Sequence, residues 1–232
     1  MTEEKRKSAK NDYFAFYIGR PLSYILTIPF LKSKITPNQI SYASIIPNAI
    51  GFLLMILGNT KFLFAIGWLM FFLWNLLDGV DGNLARYRKQ FSKDGGVIDA
   101  MAGYSSMALT FLAVGAAAST YSEPVFSAKL LIILGGLSSI SLIFPRLVMH
   151  KYINEVGKNA SAESVKNKQS FSPLKIFALN LTSITGLPQV FILIAILTET
   201  LDYLTVFYFI VNITVMLGSL YSILRKRGVV NE

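Results

Sequence analysis

The stretch Phe62-Leu63-Phe64-Ala65-Ile66-Gly67-Trp68-Leu69-Met70-Phe71-Phe72-Leu73-Trp74-Asn75-Leu76-Leu77, followed directly by Asp78-Gly79-Val80-Asp81-Gly82-Asn83-Leu84-Ala85-Arg86, decides the fold. Its first part holds no charged residue and is apolar and long enough to cross ~30 Å of hydrocarbon as a helix. Its second part places two aspartates and an arginine where that helix leaves the apolar layer. A carboxylate at such a point is costly unless it is paired, hydrated or bound to a metal. Asp78 and Asp81 stand at i and i+3, so they share one helical face.

The same pattern extends along the whole chain. Of its 232 residues, 53% are hydrophobic and 15% charged, and the mean hydropathy is +0.51. Soluble domains carry about 25% charged residues, so the composition indicates an all-α, polytopic membrane protein. Six apolar stretches are expected to span: Ile40–Leu57, Phe62–Leu77, Val97–Ser119, Leu130–Met149, Leu174–Leu197 and Tyr203–Leu224. The connections alternate in charge. One side collects 20 of the 22 lysines and arginines, leaving Lys61 and Lys129 for the other, whose short loops carry Glu123, Glu199 and Asp202. The bias of Lys and Arg in short loops sets orientation, so both termini are expected in the cytoplasm and the chain in the cytoplasmic membrane. The net charge of +9 is thereby accounted for by the membrane, and no nucleic-acid partner is expected.

Ahead of the first span, Asp12–Leu31 mixes aromatic and aliphatic residues with Arg20, Pro21 and Pro29. This reads as an amphipathic helix lying in the interface. The chain is thus expected to form one domain over residues 1–232. It comprises a tail and interfacial helix over 1–39, a six-helix bundle over 40–224 and a tail over 225–232. The first 20 residues lack an apolar core followed by a small-residue cleavage site, so no cleavable leader is expected. Asn154–Ser170 is polar and reads as a mobile loop. No internal repeat is visible.

Cysteine is absent and there is one histidine, which excludes thiolate and His-cluster metal sites. A metal here would need oxygen ligands, which points to Mg²⁺, Mn²⁺ or Ca²⁺. Asp99 follows Asp94-Gly95-Gly96 where the chain re-enters the membrane. If spans two and three are antiparallel neighbours, Asp78, Asp81 and Asp99 converge at one depth. Their mutual repulsion opposes joint ionisation, and a divalent cation would resolve it. The other reading is that these aspartates cap helix ends and pair with Arg86, Arg88 and Lys89.

The acidic segment resembles the signature of the CDP-alcohol phosphotransferase (CDP-alcohol phosphatidyltransferase) family. That signature is Asp, two residues, Asp-Gly, two residues, Ala-Arg, eight residues, Gly, three residues, Asp, three residues, Asp. Asp78, Asp81, Gly82, Ala85, Arg86, Gly95 and Asp99 match at each interval. Thr36-Pro37-Asn38-Gln39-Ile40-Ser41 is similar to the stretch that precedes the first span in the family. The last signature aspartate is replaced by Gly103.

The resemblance implies transfer of a phosphoalcohol or phosphatidyl group from a CDP-linked donor, such as CDP-diacylglycerol, to an alcohol acceptor, with release of CMP. It also implies that Asp78, Asp81 and Asp99 hold Mg²⁺ or Mn²⁺. Gly82, Ala85 and Gly95 would admit the nucleotide, and Arg86, Ser92, Asn38 and Ser41 would contact the donor. In the family the missing aspartate is metal ligand and base. Here Asp94 is the nearest substitute in sequence. Alternatively, the acceptor is easily ionised, or the protein binds a CDP-alcohol without turnover. Arg146, His150 and Lys151 are candidates for an anionic acceptor, or simply anchor a helix end to headgroups. A homodimer is in keeping with the resemblance. A transporter is the alternative of another class, and would be expected to place its polar groups near mid-bilayer.

Overall fold

The computed structural model describes residues 10–120, 124–156 and 173–225. These residues form helices joined by short turns, with no strand among them. A π-helical turn, Ala15–Gly19, runs into α1 (Arg20–Thr27) and a 3₁₀ turn, Ile28–Phe30. Then follow α2 (Pro37–Leu57), α3 (Lys61–Arg88), α4 (Gly95–Ala118), α5 (Ala128–Val156), α6 (Pro173–Thr182), α7 (Leu187–Thr198) and α8 (Leu201–Arg225).

Five of these helices are long and apolar enough to cross a membrane. A sixth crossing results if α6 and α7, bent by 50° at their junction, count as one. The outer surfaces fit this setting: Ile46, Leu53, Leu69, Ile133, Ile140, Ile210 and Leu217 all face outward. The interior is built from small residues and interlocked large ones. Met55, Phe64, Phe71, Ala113, Val114, Ala117, Leu131, Ile192 and Ile196 form the main core. Two crossings depend on absent side chains. A Cβ on Gly51 would sit 2.7 Å from the Gly67 carbonyl oxygen, and one on Gly115 would sit 3.0 Å from the Gly135 Cα. Such small-residue contacts let helix backbones approach where no hydrophobic effect drives association.

The third helix continues past the apolar run to Arg88, so Asp78 and Asp81 do share a helical face, as their spacing implied. Two expectations need correction. The fifth helix likewise runs past Met149 to Val156, taking in Asn154, where a loop was expected; residues 157–170 lie outside the described residues. The expected fifth span, Leu174–Leu197, is broken at 183–186. Pro188 lacks an N–H and restricts the residue before it, so the carbonyls of Ile184 and Thr185 lose their helical partners. Gln189 donates to Ile184 (3.0 Å) and Asn75 of α3 to Thr185 (3.2 Å), which satisfies the freed backbone within the bundle.

The interfacial segment forms as expected, with a clear division of faces. Ile18, Leu22 and Ile25 are exposed, as are Tyr17, Tyr24 and Ile28, while Ser23 and Thr27 are buried against α3. Gly79 permits that seating, since a Cβ there would lie 2.7 Å from Ser23. The apolar face is left for lipid and the polar face turns inward. Asn180 of α6 fixes the start of the segment, accepting from the Tyr13 amide (2.9 Å) and donating to the Asn11 carbonyl (2.6 Å).

Candidate active site

The site begins with the way α2 starts. Thr36 accepts from the Gln39 amide (3.3 Å), Gln39 accepts from the Thr36 amide (2.9 Å), and Pro37 opens the first turn. This reciprocal capping fixes where Asn38 and Ser41 project. Just outside, Arg88 donates to the carbonyls of Phe30 (2.6 Å), Ser33 (2.5 Å) and Ile35 (2.7 Å). It thereby staples the linker between α1 and α2 to the end of α3.

A cavity of about 390 Å³ opens between α2, α3 and the start of α4. It is lined by Asn38, Ser41, Asp78, Gly79, Asp81, Gly82, Ala85, Arg86, Ser92, Gly95, Gly96 and Asp99, with Pro37, Gln90 and Phe91. All seven matched signature residues therefore share one space with Asn38, Ser41 and Ser92. Ser41 donates to the buried Asp81 carboxylate, and Asn38 and Ser92 bond each other across the rim (2.9 Å). The Arg86 guanidinium folds over Gly82, where a Cβ would lie 3.2 Å from its nitrogens.

Asn83 was not legible as a site residue. Its side-chain amide donates to Ser23 and Thr27 of α1 (both 3.3 Å), and its oxygen accepts from Arg86 (2.8 Å). It thus links the interfacial helix to the arginine of the cavity. The available signal was its position three residues before Arg86, on the same helical face.

A second cavity, about 360 Å³, adjoins the first through Asp78, Gly96 and Asp99. Trp74, Ala100, Gly103, Tyr104, Met107, Arg146 and His150 complete its wall. Two of the three expected acceptor residues, Arg146 and His150, thus face the aspartates from α5. Lys151 does not: it pairs with Glu155 (2.7 Å) and lines a separate cleft with Ile223 and Leu224. Asp94 starts α4 in an exposed position and lines neither cavity.

The three carboxylates are right in kind for a hard divalent cation, and they line one cavity. Among the described residues, no three His, Asp or Glu side chains already form a metal-holding group. α2 lies along both α3 and α4, which touch each other over only a short stretch. A cation would have to draw these side chains in.

A sequence profile of the family described as CDP-alcohol phosphatidyltransferase matches residues 34–220, most of the chain. The chain belongs to that family. No curated protein matches it. Members of the family are membrane transferases that move a phosphoalcohol from a CDP-alcohol in lipid synthesis and generally use a divalent metal. The chain's match begins just before the capped start of α2, so Asn38 and Ser41 fall within it along with the signature.

Proposed function

We propose that the protein transfers a phosphoalcohol or phosphatidyl group from a CDP-linked donor to an acceptor hydroxyl, releasing CMP. The product is a phospholipid or a related glycolipid or polyol phosphate. The single observation that carries this reading is the cavity where every matched signature residue meets Asn38, Ser41 and Ser92.

In this reading Arg86, Asn38 and Ser92 bind donor phosphate, and Gly82, Ala85 and Gly95 keep the wall low enough for the nucleotide. Asp78, Asp81 and Asp99 would hold Mg²⁺ or Mn²⁺, which supplies charge neutralisation at the diphosphate and a better leaving group in CMP. Ser41 fixes the Asp81 carboxylate by its hydrogen bond. The acceptor occupies the adjoining cavity, where Arg146 offers a planar cationic fork suited to an anionic group. The basic residues near the site support a cytoplasmic face, where a soluble CMP product could leave.

A second reading, binding without turnover, is favoured by Gly103, which lines the acceptor cavity and supplies neither ligand nor base. Both are tested by following a label. Purified protein in nanodiscs receives CDP-diacylglycerol or CDP-glycerol, labelled in the alcohol moiety, with Mg²⁺ or Mn²⁺ and a panel of hydroxyl acceptors. The label is expected on an acceptor, with equimolar CMP. Label that stays in a bound donor across the panel would establish the binding-only reading.

A further inference from the structure

We propose that His150 is the general base of this transfer, held in place by Tyr104, and that the pair takes over the role vacated at Gly103. The inference rests on the transfer reading above.

Gly103 borders the acceptor cavity, and a Cβ built on it would meet nothing within 4 Å. The wall that would have carried a carboxylate is open. Facing that space from α5 is His150. Its Nδ1 lies 2.9 Å from the Tyr104 hydroxyl, with the two rings edge to face at 6.0 Å. Tyr104 follows Gly103 directly, so the residue next in sequence to the vacancy holds the imidazole at the wall of the same cavity.

Elimination leads to the same group. The titratable and charged residues lining this cavity are Asp78 on α3, Asp99 and Tyr104 on α4, and Arg146 and His150 on α5. The aspartates are assigned to the cation, Arg146 cannot accept a proton, and Tyr104 would first have to lose its own. Imidazole is the commonest positioned base in enzymes. The bond made by one ring nitrogen sets the state of the other. The role requires the tautomer whose Nδ1–H donates to the Tyr104 oxygen, which leaves the Nε2 lone pair free to accept the proton.

The step balances without further reactants. The acceptor oxygen attacks the donor phosphorus that bears the alcohol, and the bond from that phosphorus to the CMP oxygen breaks. The electron pair leaves with CMP. The acceptor proton passes to Nε2, and the imidazolium returns it to solvent after release.

His150→Gln and Tyr104→Phe are compared with wild type in the labelled-transfer assay, with donor binding read separately from donor-induced thermal stabilisation. His150→Gln should lower kcat by about 10²–10⁴-fold and leave donor-induced stabilisation intact. Tyr104→Phe should lower kcat by a smaller factor. Gly103→Asp introduced into His150→Gln should recover part of the lost kcat, because a carboxylate returns to the same cavity. His150 is the only histidine in the chain, so the carbethoxylation of imidazole by diethyl pyrocarbonate reports on it alone. That reaction should abolish transfer and be slowed by the acceptor. Wild-type kcat in His150→Gln, or transfer surviving carbethoxylation, would overturn the assignment. Loss of donor stabilisation in His150→Gln would do so as well, by showing a structural role. No transfer by wild type would overturn the transfer reading itself, and the base with it.

Discussion

Asn83 shows how a single side chain ties the chemistry to the membrane surface. It holds Arg86 with its oxygen and α1 with its amide, so the arginine that lines the cavity and the interfacial helix share one fastening. A hydrogen bond to a charged group is worth about 1.5–3 kcal/mol. Asn83→Ala should therefore weaken donor binding by roughly tenfold or more, measured as donor-dependent thermal stabilisation in detergent. An unchanged donor affinity would show that Arg86 needs no such support. The signature residues themselves were legible because chemistry fixes their spacing: carboxylates one turn apart, small residues between them, and an arginine on the same stretch. Asn83 and Tyr104 were not, because an amide and an aromatic in a membrane helix have many ordinary uses. Their roles depend on Ser23 and His150, which lie 60 and 46 residues away.

Among the elements, α2, α3, α4, α5 and α8 follow directly from apolar runs of spanning length, and α1 follows from its mixed faces. The break between α6 and α7 was only half legible. A proline inside an apolar run, here Pro188, implies a kink, but a full interruption requires partners for the freed carbonyls, and those come from Asn75 on α3 and from Gln189 itself. Asn75→Leu would leave the Thr185 carbonyl without its partner inside the bundle. An unmade bond to a buried group costs about 1–3 kcal/mol, so the variant should melt at a lower temperature than wild type. A melting point equal to wild type would mean that the break is stabilised elsewhere. Asp78, Asp81 and Asp99 were expected to meet between α3 and α4, and they line one cavity there; what sequence adjacency did not show is that α2 packs along both helices and adds Asn38 and Ser41 to the same wall.

For the whole molecule, the charge asymmetry argues that the signature end of the bundle faces the cytoplasm. The chain has no cysteine, so single cysteines report topology cleanly. Asn59→Cys, in the exposed turn between α2 and α3, and Lys93→Cys, in the exposed turn before α4, should be labelled from opposite sides. An impermeant reagent applied outside intact cells should reach position 59 alone; labelling of position 93 alone would invert the orientation. The central claim is that Asp78, Asp81 and Asp99 work with Arg86 as one metal-dependent transfer site. It is tested most directly by CMP release from a CDP-alcohol, measured with and without Mg²⁺ or Mn²⁺, in wild type and in Asp81→Asn. The account predicts release that requires the cation in wild type and is lost in Asp81→Asn. Release that is independent of the cation, or undiminished in Asp81→Asn, would contradict it.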